Sequence, residues 1–151
     1  MLKDFSDNSY EHIKANEDEL KKAILDFNDE IVLLDLNLMN ELYYENFLNE
    51  YDFLIKASKI LGSRGKKSKI ILAGSNIAAV TNEEMVYPLN HALIGTGRVI
   101  QQEFPDISFS AIDIKKNNLK SYDKLLEISQ GNNEFNAIRG NQKWVRKYEE
   151  I

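Results

Sequence analysis

No cysteine occurs among the 151 residues, so disulfides, thiolate nucleophiles and zinc–thiolate centres are excluded, and a reducing compartment is permitted. Histidine is nearly absent as well. His12 and His91 are the only two imidazoles, and neither has a carboxylate or a second histidine at metal-like spacing, which leaves each as a surface or core-edge residue. Positive charge is in deficit, with 19 Lys and Arg against 24 Asp and Glu and a net charge of −5. A general nucleic-acid or anionic-membrane footprint needs a field that attracts phosphate, so neither partner is expected. No uncharged run reaches membrane-spanning length, and the opening MLKDFSDNSYEHIKANEDE is too polar for a signal peptide's apolar region. A cytoplasmic location is the expectation. What is present is an apolar fraction of 43%, enough to bury the core of one domain.

Hydrophobic patterning divides that domain. Residues 1–15 carry Leu2, Phe5, Tyr10 and Ile13 without a period of two or 3.6, and read as a linker; Asn16 and Glu19 have the spacing of a capping box, so a short helix to Phe27 should follow. Residues 1–27 are therefore a linker with a leading helix, and 28–151 the folded unit. The continuous apolar run Glu30 to Leu36 fits a strand covered on both faces. From Asn40 to Leu61, Tyr44, Phe47, Leu48, Tyr51, Leu54, Ile55 and Ser58 recur at steps of three and four, one face of a helix that Gly62 should close. A basic loop, SRGKKSK, precedes a buried strand at Lys69 to Ala73, ended by Gly74, Ser75 and Asn76. Pro88 opens a helix to about Glu103, where its missing amide does no harm. Ser108 to Ile114 is a third strand, Ser121 should cap a helix with Leu125, Leu126 and Ile128, and Glu134 to Arg139 with Gln142 to Lys147 flank Gly140 and Asn141 as a hairpin. The alternation predicts an α/β fold of truncated Rossmann-like type: a mostly parallel sheet flanked by helices, joined by right-handed crossovers, with a C-terminal antiparallel hairpin.

A dinucleotide site in such a fold needs a glycine-rich turn between the first strand and its helix, so that backbone and helix N-terminus approach the pyrophosphate. The turn here, Asn37 to Asn40, has no glycine. Gly95-Thr96-Gly97 lacks the third glycine and falls inside the helix begun by Pro88, where small residues let helix and sheet pack closely. Tyr10 and Lys14 have the Tyr-x-x-x-Lys spacing of a reductase acid, yet precede the first strand and read as coincidence. Ser75 and Asn76 end a strand where α/β folds often hold ligands, without a base or nucleophile beside them. Asn90 and His91 read as an exposed first turn, Arg64, Lys66, Lys67 and Lys69 as a solvated loop, and Glu83, Glu84, Glu149 and Glu150 as surface charge. No residue is assigned to catalysis, to cofactor binding or to a metal.

From Ile70 onward the sequence resembles the ketoreductase region of modular polyketide synthases. There a strand, a long connection, a proline-led helix with an Ala-x-x-Gly-x-Gly-Arg stretch, a Glu-x-Pro helix end and a strand ending in Asp follow in order. The matching positions are Pro88, Ala92, Gly95, Gly97, Arg98, Glu103, Pro105 and Asp113, and Phe135 to Lys147 is similar to the family's hairpin, apolar-Ala-apolar-Arg-Gly before a basic strand. The likeness spans about residues 28 to 148. It departs from the pattern at Ala73-Gly74-Ser75-Asn76, where the family often has a Thr-Arg-Gly-like sequence, and in lacking an obvious aromatic strand before residue 28.

The resemblance implies the non-catalytic structural half of a ketoreductase. It would bind no cofactor itself, NADPH and phosphopantetheine belonging to the parent assembly. Its partners would be the catalytic half, neighbouring synthase domains and an acyl carrier protein. Two other readings stay open: a stand-alone small Rossmann-like enzyme that holds a ribose through Asp35, and a module that docks a carrier protein through the Arg64 to Lys69 loop.

Overall fold

The computed structural model describes residues 2–4, 10–11, 17–26, 30–81, 83–115, 125, 127–128 and 133–149. Its strands are β1 (Leu2–Asp4), β2 (Tyr10–Glu11), β3 (Ile31–Leu38), β4 (Ser68–Gly74), β5 (Ile107–Ile114), β6 (Phe135–Arg139) and β7 (Gln142–Val145), and its helices α1 (Glu17–Asp26), α2 (Tyr44–Ser63) and α3 (Pro88–Glu103). The strands form one sheet in the order β2-β1-β3-β4-β5-β6-β7. β3, β4, β5 and β6 are mutually parallel, while β1 with β2 on one side and β7 on the other run antiparallel to their neighbours. This is the expected Rossmann-like α/β class. The difference lies at the start, where β1 and β2 occupy part of the stretch expected as a linker. Strands of three and two residues are too short to show a period in sequence.

Both faces of the central strands are buried, which explains their unbroken apolar runs. Leu33, Ile70, Leu72, Phe109, Ala111, Phe135 and Ala137 face a core closed by Leu20 and Ile24 of α1, Leu54, Ala57 and Leu61 of α2, and Leu93, Ile94 and Ile100 of α3. Val32, Leu34, Ile71, Ala73, Ile112, Ile114 and Ile138 point the other way, against Leu125 and Ile128. Parallel strands in sequence order with α2 and α3 on one face require those two crossovers to share one hand.

Element ends differ from the sequence reading for identifiable reasons. α2 begins at Tyr44 rather than Asn40; the stretch before it is tied instead to Asn90, which accepts the Leu42 N–H and donates to the Asn40 carbonyl. It ends past Gly62, with Arg64 as C-cap and Gly65 at φ 59° in the left-handed region that closes helices. Gly62 serves packing instead: a Cβ there would lie 2.3 Å from the Phe104 ring. In the hairpin, Gly140 has φ 60° and Asn141 has no positive φ, the pattern of a II′ turn in which only the first central residue needs glycine. The expected capping residues Asn16 and Ser121 lie outside the described residues.

Candidate functional site

In a parallel α/β sheet ligands bind beyond the carboxyl ends of the strands, and here β3, β4, β5 and β6 bring their ends to one edge. The chain's own groups occupy it. β3 carries a register shift between Asp35 and Leu38, an extra residue that advances Leu38 onto the end of β4. The fit is close enough that a Cβ on Gly74 would lie 2.4 Å from the Leu38 Cβ. Asn90, fully buried in the first turn of α3, then ties down the passage from β3 to α2. Its Nδ2 donates to the carbonyls of Leu38 (3.0 Å) and Asn40 (2.9 Å), and its Oδ1 accepts the Leu42 N–H at 3.0 Å. Ser75 completes the seam, its N–H bonded to the Leu38 carbonyl at 3.0 Å and its hydroxyl donated to the Met39 carbonyl at 2.8 Å.

The long connection between β4 and α3 is held by charge. Asp113, at the end of β5 and 0% exposed, accepts the Ile77 and Ala78 N–H groups on Oδ2 at 3.0 and 2.9 Å. Its Oδ1 receives Arg139 Nη1 at 3.3 Å. Arg139, last residue of β6, also donates Nε and Nη2 to the two carboxylate oxygens of Glu84, at 2.6 and 2.9 Å. Glu84 Oε2 in turn accepts the Val80 N–H at 2.9 Å. The hydrogen-bonded Arg139 guanidinium holds the Glu84 carboxyl down at about 2, against the raising effect of burial and with help from the Val80 amide. The Arg139 guanidinium is raised in return. Asn76, at φ 55°, turns the chain out of β4 and accepts the Tyr87 N–H at 2.8 Å, and His91 Nδ1 lies 2.8 Å from the Ile77 carbonyl.

Several sequence readings change. Glu84 is an inward strut with a side chain only 12% exposed, not surface charge, whereas Glu83 and Glu149 are exposed. Asn90 is buried rather than exposed, while its neighbour His91 is exposed as expected. Its signal was available: Asn90, Leu93, Ile94, Gly97 and Ile100 share one helical stripe. The two glycines of Gly95-Thr96-Gly97 part company. A Cβ at Gly97 would lie 2.1 Å from the Phe109 ring, whereas nothing stands within 4 Å of one at Gly95, so only Gly97 serves close helix–sheet packing. Asp35 is buried and paired with Leu72 inside β3, three residues before the strand ends, and is not placed to hold a ribose.

Among the basic residues, Arg64, Lys66 and Lys69 engage partners in the chain, and burial pushes the Lys69 ammonium down. Tyr10 lies in β2, paired with Lys3; Lys14, His12 and Glu150 lie outside the described residues. Among the described residues no three His, Asp or Glu side chains are grouped to hold a metal, and no helix is long and apolar enough to cross a membrane. The arrangement supplies ion pairs and main-chain bonds that fasten loops.

No family model matches the chain, and no curated protein does. A solved structure of a longer protein shares its fold. Described as the "Adenylation, ketoreductase, and pseudo Asub multidomain structure of a keto acid-selecting NRPS module", it superposes with a TM-score of 0.61 at 12% identity over 86% of this chain. The match takes in 12% of that much longer chain, so the likeness is to a small part of a multidomain protein.

Proposed function

We propose that this chain is the non-catalytic structural half of a ketoreductase in a modular synthase of the polyketide type, and that it works by packing rather than by chemistry. One observation supports the reading: at the carboxyl edge of the sheet, where a Rossmann-like domain would seat a dinucleotide, the passage from β3 to α2 has no glycine turn and is bonded to the chain's own Asn90. Leu38 abuts Gly74, and Asn90 takes up the polar groups of residues 38 to 42. A bound pyrophosphate needs the backbone to approach it closely through a glycine turn ahead of a helix N-terminus; the passage into α2, Asn37 to Tyr43, contains no glycine. Sequence adds the ketoreductase-like blocks around Pro88 to Asp113 and Phe135 to Lys147. The structural neighbour supports a multidomain setting, because by its description it is a synthetase module that includes a ketoreductase.

In this role NADPH and the carrier-bound, phosphopantetheine-linked substrate engage other parts of the assembly. The chain offers its partner apolar surface, gaining roughly 25 cal/mol per Å² buried before ordering costs. Titration of the chain with NADPH, and separately with S-adenosylmethionine, by calorimetry tests the reading. No saturable binding is expected, and micromolar affinity for either overturns it. Added to a catalytic ketoreductase half expressed without its structural half, the chain is expected to raise that half's melting temperature and its rate of ketone reduction.

A further inference from the structure

Among the described residues β7 has a single neighbour, β6, and forms one edge of the sheet. Arg139 and Gln142 close a hairpin through Gly140 and Asn141. In such a hairpin the closing pair exchanges its main-chain bonds and every second pair after it does the same. Lys143 and Val145 therefore direct their N–H and C=O groups outward, away from β6. An edge of this kind is a template for another strand.

The side chains along the edge have a definite chemistry. Gln142 to Tyr148 includes Lys143, Arg146 and Lys147 and no acidic residue, in a chain whose net charge is −5. Lysine alone would be a device for blunting the edge. Here the cations alternate with Trp144, 43% exposed, and Tyr148, 75% exposed, aromatic side chains of the kind enriched where proteins bind proteins. Trp144 stands opposite Ala137, and beside it a cavity of about 220 Å³ opens between Ala78, Val80, Phe135, Ala137 and Arg146. The Arg146 guanidinium lies 4.8 Å over the Phe135 ring, which holds its charge at the rim of that cavity.

We propose that β7 is a docking edge for an acidic, extended polypeptide segment, which adds to the sheet as a further strand. Its main chain would bond to Lys143 and Val145. Its apolar side chains on one face would enter the cavity beside Trp144, and its carboxylates on the other would meet Lys143 and Lys147. Strand addition takes affinity from the main-chain bonds and selectivity from the pockets for alternate side chains. The proposal does not rest on the ketoreductase reading, since an edge strand recruits a segment whatever the rest of the assembly does.

The test uses fluorescence anisotropy with a fluorescein-labelled Glu-Val-Glu-Val-Glu-Val peptide. Three comparison probes are the same peptide N-methylated at alternate residues, a Lys-Val-Lys-Val-Lys-Val peptide, and oligouridylate. Saturable binding is expected for the acidic peptide alone, weakened at least about tenfold by Lys143→Glu with Lys147→Glu. Val145→Pro, which removes an outward N–H from an edge where proline is tolerated, is expected to abolish it. If that variant loses its folded circular dichroism, the N-methylated peptide poses the same question to the unaltered protein. Equal binding of the N-methylated peptide, no saturable binding of the acidic one, or tighter binding of oligouridylate overturns the proposal.

Discussion

Arg139 grips Glu84 through a fork of two hydrogen bonds, Nε to Oε1 at 2.6 Å and Nη2 to Oε2 at 2.9 Å, joining residues 55 apart in sequence. The pair fastens the β4–α3 connection to the far side of the sheet, and the same guanidinium reaches Asp113. Replacing Arg139 by methionine keeps the aliphatic stem and strands both carboxylates. A loss of about 2 kcal/mol is expected, between the worth of an exposed pair and the penalty for breaking a fully buried one. Urea denaturation measures it, and a double-mutant cycle with Glu84→Gln should return most of it as coupling.

The same pair sets an acid limit. The Arg139 guanidinium holds the Glu84 carboxyl at about 2 in the folded chain, below its ordinary value of 4.5. A carboxyl whose folded pKa is depressed contributes stability above its unfolded pKa and loses it as pH falls through the folded one. The contribution is therefore complete above about pH 5 and drains away between pH 4.5 and 2. Unfolding midpoints across that range should fall more steeply for the parent protein than for Glu84→Gln; parallel curves would count against the strut.

Gly95 and Gly97 should respond in opposite directions to one methyl group. Gly95→Ala projects into open space and is expected to stabilise α3 by up to about 1 kcal/mol through helix propensity. Gly97→Ala drives a Cβ into the Phe109 ring and is expected to cost about 1 to 3 kcal/mol as overpacking. Thermal melts of both variants check this, and Phe109→Leu in the Gly97→Ala background should recover part of the loss.

Asn90→Leu is close in size and removes all three bonds that hold the passage from β3 to α2. Leaving several buried main-chain groups unpaired should cost about 3 kcal/mol, less than the sum of the separate penalties because the loop can relax toward water. The local signature is hydrogen exchange. The Leu42 amide, bonded to Asn90 Oδ1, should exchange much faster, while amides of β4 and β5 shift only by the global loss.

Much of the fold was legible because burial on both faces leaves a plain mark. The apolar runs of β3, β4 and β5 and the stripe of α3 stand in the sequence as they stand in the structure. β1 and β2 were not legible, since strands so short acquire their identity from the strand they pair with. The candidate site was legible in its lack of a glycine turn at Asn37 to Asn40, but not in what replaces it. Nothing near Glu84 announces Arg139, and a polar residue at position 90 reads as surface until its place on a buried stripe is weighed.

Composition and periodicity by themselves determined the α/β class, the order of the main elements and the exclusion of thiol chemistry, because these follow from local chain geometry and from which residue types are present. Only the tertiary structure decided that Glu84, Asp113 and Arg139 form one network, that Leu38 seats against Gly74, and that Gly97 rather than Gly95 carries the close packing. Those relationships join positions distant along the chain, and their energy arises only once burial has removed the water that would otherwise satisfy each group alone.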